Sequence, residues 1–213
     1  MTGTETIVRI PVQGFHLEGT LAVPPRARGM VVFAHGSGSS RLSPRNASVA
    51  RTLNAEGFGT LLFDLLTGQE DAVYENRFDI PLLAGRLEAA TAWVRGQAEA
   101  SALPVGYFGA STGAAAALIA AADLDGSIRA VVSRGGRPDL AGEALRRVTA
   151  PVLLVVGGYD PAVIQLNRQA YRLVTAPKEI HIVPGATHLF EEPGTLEEVA
   201  RQAAEWFARY LPS

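Results

Sequence analysis

The chain has 213 residues, of which 47% are hydrophobic and 19% charged, so it is long enough for one globular domain with a sizeable core. A formal net charge of −2 gives no electrostatic reason to expect binding to nucleic acid or to an anionic membrane. The absence of cysteine excludes disulfides and thiolate-bound metals. The N-terminal residues up to Ile7 lack a basic segment followed by an apolar core, so we expect no signal peptide and a cytoplasmic location.

Strands and helices are predicted to alternate along most of the chain. The first half of the chain contains the strands Ile7–Val12, Leu17–Val23 and Gly29–Ala34, a helix from Pro44 (N-cap Ser43) to about Glu56, the strand Phe58–Asp64, and a long helix from about Asp79 to Ala100. Then follow the strand Leu103–Phe108, the helix Ala114–Ala122, and the strands Ile128–Ser133 and Pro151–Val156. The last elements are a helix from Pro161, the strand Glu179–Val183, and a helix from a capping box at Thr195–Glu198 to Tyr210. This alternation predicts an α/β fold with a doubly wound, mostly parallel sheet flanked by helices, in a single domain over residues 1–213.

The G-x-S-x-G sequence at Gly109–Gly113 is the strongest chemical signal. It follows the predicted strand Leu103–Phe108 and precedes the predicted helix Ala114–Ala122, which is the strand–turn–helix context that this motif requires. Small residues around Ser111 allow a tight turn that exposes its Oγ, and the start of the helix directs N–H groups to the same place. We interpret Ser111 as a nucleophile, the alternative being a plain glycine-rich turn.

A base and a carboxylate for this serine are found further along the chain. Asp160 and His188 each come just after a predicted strand, Pro151–Val156 and Glu179–Val183 respectively. Because parallel strands end at the same edge of a sheet, both side chains are expected near Ser111. A serine hydroxyl needs such a base, held in turn by a carboxylate, to attack at neutral pH. The alternatives are that Asp160 only caps a helix and that His188 is a solvated loop residue.

An oxyanion site is predicted where the strand Gly29–Ala34 leads into the segment His35–Ser40. Acyl-transfer intermediates need two N–H donors at the developing oxyanion. We assign these to Thr112 and Ser37, with Gly38 as the next choice for the second donor, and we expect the histidine of this segment to act through its backbone rather than by titration. A phosphate cradle is the alternative, but the segment lacks the Gly-Lys-Ser/Thr ending of a Walker loop and the spacing of a dinucleotide fingerprint.

Residues that contact the substrate are predicted at the same edge. Arg134 and Arg137 emerge near this edge, where they form either a structural ion pair, the favoured interpretation, or a site for a substrate carboxylate. Arg134 and Tyr159 are assigned to substrate binding. The connection Leu65–Pro81 is either a solvated loop or a border of the pocket. The connection Arg134–Ala150 is too short for a lid domain. No metal-ligand pattern is present, so we expect neither a metal nor another cofactor.

At these residues the chain resembles the α/β-hydrolase superfamily, and most closely its dienelactone-hydrolase-like branch. The resemblance extends from the His35-Gly36 loop to the C-terminal helix and includes the chain order Ser, Asp, His. It implies the α/β-hydrolase fold, with Ser111 as nucleophile, His188 as general base and Asp160 as the group that orients the base. Members that cleave dienelactones carry a cysteine nucleophile and a glutamate-bearing segment where this chain has His35-Gly36. The resemblance therefore implies the acyl-transfer chemistry but not the dienelactone substrate.

The sequence thus predicts a metal-free serine hydrolase that cleaves small carboxylic esters or lactones through an acyl-enzyme. Acyl transfer or perhydrolysis on the same three residues is an alternative, because only the attacking group differs. A binding or scaffold protein of the same fold is the alternative from another class. The expected partner is a small-molecule ester or lactone, without nucleic acid or membrane, and a homodimer stays open.

Overall fold

A computed structural model describes residues 5–211, so the expectation about a signal peptide falls partly on residues outside this range. The strands are β1 (Glu5–Val12), β2 (Phe15–Ala22), β3 (Met30–Ala34), β4 (Gly59–Phe63), β5 (Val105–Ala110), β6 (Ile128–Arg134), β7 (Val152–Gly157) and β8 (Lys178–Val183). They form one sheet in the order β1-β2-β4-β3-β5-β6-β7-β8. The pairs β1–β2 and β2–β4 are antiparallel and all the other pairs are parallel, which confirms the predicted mostly parallel sheet.

Helices cover both faces of this sheet. They are α1 (Pro44–Ala55), α2 (Gly68–Asp71), α3 (Ile80–Arg95), α4 (Thr112–Asp123), α5 (Pro161–Leu173) and α6 (Thr195–Tyr210). The helices α1 and α6 pack on one face, and α3, α4 and α5 pack on the other, so that two apolar cores lie on either side of the sheet. Every residue of β3, β4, β5 and β7 is buried, as expected for parallel strands that are covered on both faces.

Small residues let α4 lie very close to the sheet. A Cβ atom at Gly109 would stand 2.5 Å from Ala114 Cα, and one at Gly113 would stand 2.2 Å from the carbonyl oxygen of Ala34. Real Cβ atoms do not approach other atoms this closely, so both positions require glycine. The close packing fixes the start of α4, and with it the turn that holds Ser111.

Two helix ends differ from the prediction. The helix α3 ends at Arg95 rather than near Ala100, because Gly96 forms its C-cap and turns follow. The capping box predicted at Thr195 is wrong: Gly194, with φ +82°, occupies the N-cap, and the Thr195 hydroxyl donates backwards to the Glu192 carbonyl at 2.7 Å. The predicted N-cap at Ser43 is confirmed, since its Oγ accepts from the Asn46 N–H.

The connections that leave the carboxyl ends of the strands differ in structure. Between β4 and α3, residues 64–79 contain α2 and a short 3₁₀ helix, Tyr74–Phe78. Between β6 and β7, residues 135–151 contain a 3₁₀ segment, Pro138–Arg147, which is interrupted at Gly142. This is a single small domain without a large lid, because neither connection contains more than these short helical pieces.

The strand order of the sheet changes direction at β3. From β3 it proceeds to β4 on one side, and it later returns to β5 on the other, so that the loops after β3 and β5 part at the carboxyl edge. Open α/β sheets bind ligands at such a switch point. Within residues 5–211, no helix combines the length and the apolar character that crossing a membrane requires.

Candidate active site

Ser111 stands at the switch point on a strained turn. Its φ of 51° and ψ of −122° lie in a region that residues other than glycine rarely adopt. The turn has no room for larger neighbours, since a Cβ atom at Gly36 would stand 2.9 Å from Ser111 Cβ. The turn thus lifts the hydroxyl out of the sheet edge, where the residue is half-buried. This is the geometry that the G-x-S-x-G motif predicts.

Asp160 and His188 are brought together as predicted. His188 Nδ1 lies 2.7 Å from Asp160 Oδ2, and the aspartate side chain is 16% exposed. The carboxylate fixes the ring with Nδ1–H donating, so Nε2 is free to accept a proton. Asp160 is also the N-cap of α5, where its Oδ1 accepts from the Val163 N–H at 3.4 Å. The capping role and the role of holding His188 therefore coexist in one carboxylate.

The approach of these two residues depends on Gly157, the last residue of β7. A Cβ atom there would stand 2.5 Å from the carbonyl oxygens of both Ala186 and Thr187. The loop that carries His188 consequently lies directly against the end of β7. The Tyr159 N–H donates to the Ala186 carbonyl at 2.9 Å and joins the two loops.

Ser111 and His188 both lie against the end of β6, at Arg134 and Gly135. The Ser111 N–H donates to the Arg134 carbonyl at 3.3 Å, and a Cβ atom at the adjacent Gly135 would stand 3.6 Å from His188 Cε1. Among the described residues, however, no hydrogen bond joins Ser111 Oγ to His188 Nε2. Catalytic hydrogen bonds are often long without substrate and tighten in the complex. The roles of Ser111, Asp160 and His188 stay predictions.

The two predicted oxyanion donors lie side by side. Thr112 is the first residue of α4, where a backbone N–H has no acceptor within the helix. The Ser37 N–H donates to Thr112 Oγ1 at 2.9 Å, and this bond ties the loop after β3 to the loop after β5. A substrate oxyanion would have to share or replace that bond at Ser37. The assignment of both donors stays a prediction.

The residues assigned to substrate binding have different surroundings. Arg137 makes a bidentate pair with Asp139, at 2.9 and 2.8 Å, so for Arg137 the structural ion pair is the reading that fits. The Arg134 side chain is buried and donates from Nη2 to Asn46 Oδ1 at 3.3 Å, while its Nε and Nη1 have no partner among the described residues. Burial, reinforced by repulsion from Arg45, lowers the pKa of Arg134 to about 10.

Tyr159 is 72% exposed beside Asp160, within reach of a ligand at the sheet edge. Its assignment and that of Arg134 stay predictions.

The side chain of His35 has a role that the sequence did not predict. Its Nε2 accepts from the Leu65 N–H at 3.0 Å, and its Nδ1–H donates to the Gly36 carbonyl at 2.9 Å. Burial lowers the pKa of His35 below its usual value, so the ring is neutral, as these two bonds require. His35 therefore joins the predicted oxyanion loop to the β4–α3 connection. Its position directly after a buried strand gave no signal of this contact.

The β4–α3 connection borders the predicted oxyanion loop. A shallow hollow between the two is lined by residues 35–38 together with Leu65, Leu66, Asp71, Arg77 and Leu83. A larger hollow lies between α1 and strands β2 and β4, and it includes none of the predicted site residues. Within residues 5–211, no group of three or more His, Cys, Asp or Glu is arranged to hold a metal ion.

Comparisons with known proteins show the family and the fold of this chain. The model of the dienelactone hydrolase family matches residues 17–211. A crystal structure of dienelactone hydrolase from Anabaena variabilis is 52% identical, with a TM-score of 0.95, and the match covers 98% of this chain and 99% of that one. Est1E from Butyrivibrio proteoclasticus shares only the fold, at 18% identity and a TM-score of 0.81 over 95% of this chain and 98% of that one.

Curated relatives are much longer than this chain. Two Mycobacterium tuberculosis proteins, from strains CDC 1551 and H37Rv, carry the provisional name phosphoribosyl transferase. Each is 59% identical over 193 residues, which make up 91% of this chain and 44% of the relative. The chain thus spans less than half the length of the curated relatives it matches.

Proposed function

This chain belongs to the dienelactone hydrolase family, and from that premise we propose that it is a serine hydrolase of small carboxylic esters or lactones. The observation that carries the proposal is the 2.7 Å contact between His188 Nδ1 and Asp160 Oδ2, beside a serine on a strained turn. A carboxylate–imidazole pair at a sheet edge has a clear use when a hydroxyl nucleophile stands next to it. A binding or scaffold protein would need neither the pair nor the strained turn.

The proposed reaction has two acyl-transfer steps. Ser111 Oγ attacks the carbonyl carbon while His188 Nε2 takes the hydroxyl proton, and the Thr112 and Ser37 N–H groups bind the oxyanion. The C–O bond to the leaving alcohol then breaks, and the alcohol takes the proton from His188. Water, deprotonated by His188, attacks the acyl-enzyme, and the carboxylic acid leaves as Ser111 regains its proton.

Acyl transfer and perhydrolysis remain alternatives on the same residues. They differ only in the attacking group, which is an alcohol, an amine or hydrogen peroxide in place of water. Adding each acceptor to the ester assay and measuring the product ratio distinguishes them from hydrolysis.

The provisional name of the long relatives raises phosphoribosyl transfer as a second candidate. The matched region makes up 44% of those relatives, so the remaining 56% of their length is free to carry that activity. We propose that the region shared with this chain is the hydrolase part. Incubation with 5-phosphoribosyl diphosphate and nucleobases should give no pyrophosphate release, and release at enzymatic rates would favour the transferase instead.

The test of the proposal is Ser111→Ala, assayed with p-nitrophenyl esters and with a fluorophosphonate probe read by mass spectrometry. Loss of a triad nucleophile lowers kcat by about 10⁶ in the best-studied serine hydrolase, so activity should disappear. The wild type should take one probe molecule at Ser111. Ser101→Ala, exposed at the opposite edge of the sheet, is the matched control and should keep both activity and labelling. A folded Ser111→Ala protein that retains more than a few per cent of turnover would refute the proposal.

A further inference from the structure

The strained backbone of Ser111 is held from outside its own turn. Its N–H donates to the Arg134 carbonyl at 3.3 Å, and its carbonyl accepts from the Arg137 N–H at 3.0 Å. Both contacts come from residues 134–137, which begin with the last residue of β6 and are called the loop 134–137 below. A positive φ at a serine persists only where the surroundings hold it. The position of this loop therefore decides whether Ser111 keeps the conformation that presents its hydroxyl.

The loop is itself confined at its two glycines. Gly135 has a φ of +50°, and its N–H donates to the Val155 carbonyl at 2.8 Å. A Cβ atom at Gly136 would stand 2.0 Å from Ser133 Oγ, so the Gly136 backbone packs against the Ser133 side chain with no room for a larger residue. The Gly136 carbonyl accepts from Asn167 Nδ2 at 2.9 Å. Among the described residues, Asn167 is the one side chain that bonds to a backbone group of residues 134–137.

An asparagine at position 167 of α5 lowers the stability of the folded state through its unpaired amide oxygen. It is 0% exposed, and its second Nδ2 proton goes to the Val163 carbonyl at 2.8 Å, within its own helix. Its Oδ1 has no partner in the described part of the chain, and a buried acceptor left without a donor destabilises the folded state. Leucine has a similar size and no polar atoms but could not donate to the Gly136 carbonyl, so this bond, rather than packing, accounts for an asparagine here.

The helix α5 connects this residue to the other half of the site. Asp160 is the N-cap of α5 and holds His188, and Asn167 follows seven residues later, two turns along the same face. The helix α5 thus contacts His188 at its N-terminus, through Asp160, and the loop 134–137 at its middle, through Asn167. The distance between the base and the nucleophile depends on both contacts.

We propose that Asn167 is a positioning residue that, through the Gly136 carbonyl, fixes the loop 134–137 and so maintains the strained conformation of Ser111. This inference rests on the proposed function. Asn167 does not contact the reacting atoms, so its loss should slow the chemical step and leave substrate binding nearly unchanged. A displacement of about 1 Å in a catalytic group costs about 10²-fold in rate.

The experiment compares Asn167→Leu and Asn167→Ala with the wild type in three measurements: kcat and KM for p-nitrophenyl acetate, the rate of fluorophosphonate labelling at Ser111, and thermal unfolding. For Asn167→Leu we expect kcat and the labelling rate to fall by about 10- to 100-fold, with KM within about twofold. Its melting temperature should stay close to that of the wild type, because the loss of the donor to the Gly136 carbonyl is offset by the removal of the unpaired Oδ1. The Ala variant, which leaves a cavity, should show the same kcat loss with reduced stability.

Asn54→Leu is the matched control. Asn54 is also a buried helical asparagine whose Nδ2 donates to a loop carbonyl, that of Phe58 at 2.9 Å, but it lies at the opposite edge of the sheet. This variant should lose stability and keep kcat. A kcat within about threefold of the wild type in both Asn167 variants overturns the proposal, as does a loss of kcat that Asn54→Leu reproduces.

A crystal structure of Asn167→Leu separates this inference from the function on which it rests. We expect the φ of Ser111 to relax, or the loop 134–137 to shift, whatever the substrate is. A wild type that neither hydrolyses esters nor takes the probe refutes the proposed function. An active wild type with an unchanged Ser111 and loop in the Asn167→Leu crystal refutes the positioning role alone.

Discussion

Asp160→Asn, which replaces one carboxylate oxygen by an NH₂ group, separates the two hydrogen-bonding roles of Asp160. Oδ1 caps α5 through the Val163 N–H, whereas Oδ2 holds His188 Nδ1. Asparagine is as good an N-cap as aspartate, but its NH₂ group cannot accept the Nδ1 proton. We therefore expect Asp160→Asn to keep its melting temperature and to lose about 10³- to 10⁴-fold in kcat, because the ring takes the wrong tautomer.

Asp79 provides the control for this change. It caps α3 in the same way, accepting from the Leu82 N–H at 3.0 Å, and among the described residues it forms no hydrogen bond with a histidine. Asp79→Asn should change neither stability nor kcat. Equal activity of Asp160→Asn and Asp79→Asn in ester hydrolysis would show that Asp160 is only a helix cap.

His35 makes the stability of the protein depend on pH. Burial lowers the pKa of His35, although the Gly36 carbonyl, Asp64 and Asp71 act in the opposite direction. Between this lowered pKa and the usual value of about 6.5, the unfolded chain binds more protons than the folded one. Stability should therefore decrease as the pH falls below about 6.5 and be fully present above it.

The variant His35→Gln tests this origin, because an amide oxygen can accept from the Leu65 N–H without titrating. We expect the free energy of unfolding, measured with urea from pH 7 to pH 5, to fall less steeply in this variant than in the wild type. His16→Gln, on the exposed side of β2, should keep the steeper wild-type slope. Identical slopes for wild type and His35→Gln would mean that other groups cause the pH dependence.

At the scale of elements, the β4–α3 connection is held by a network rather than left as a free loop. Thr67 and Glu70 form a capping box at the start of α2, and Glu70 Oε1 also pairs with Arg86 Nη2 at 2.5 Å. Partial burial on its own raises the pKa of Glu70, but hydrogen bonds from Thr67 and Arg86 lower it below its usual value. The Arg86 guanidinium is buried and stacks 4.6 Å from the Phe15 ring.

Glu70→Gln should destabilise the protein by about 2 kcal/mol, because it leaves the buried Arg86 without its counter-charge. The double variant Glu70→Gln/Arg86→Met should recover part of that loss, since no buried charge remains. Urea unfolding of the two proteins measures both effects. Asp71→Asn, which removes the more exposed pair with Arg77, is the control and should change stability at neutral pH by less than about 0.5 kcal/mol. A Glu70→Gln protein as stable as the wild type would show that the pair contributes nothing.

The capping boxes show why element boundaries were harder to predict than elements. The pattern Thr-x-x-Glu occurs at both Thr67 and Thr195, and only the first forms the box. At the second, Gly194 takes a left-handed conformation and becomes the N-cap itself. The pattern is local, but the residue at which a helix begins is decided by the preceding turn and by packing. Hydrophobic periodicity, which involves whole elements, predicted all eight strands.

At the scale of the molecule, the common location of the candidate site residues could be predicted because the topology brings strand ends together. Ser111, Asp160 and His188 each follow a parallel strand, so their common edge follows from the fold class. The surroundings of Arg134 and the contacts of His35 and Asn167 could not be predicted in this way. They depend on which side chains face one another between layers, and a single sequence contains no periodic signal for that.

The whole-molecule architecture also predicts the size of the substrate. The connection between β6 and β7 contains only a 3₁₀ segment, so nothing there forms a large water-excluding groove. A longer acyl chain gains about 0.8 kcal/mol per methylene only where the methylene is buried. We therefore expect kcat/KM for p-nitrophenyl esters to peak between acetyl and butyryl and to fall by octanoyl, without activation at a lipid interface.

Two exposed aromatic residues oppose this expectation. Tyr74 and Phe78 pack together, with ring centroids 5.2 Å apart, on the connection that borders the predicted oxyanion loop. A preference for decanoyl esters that disappears in Tyr74→Ser/Phe78→Ser would show that this connection covers long chains, and the prediction of small substrates would then be wrong.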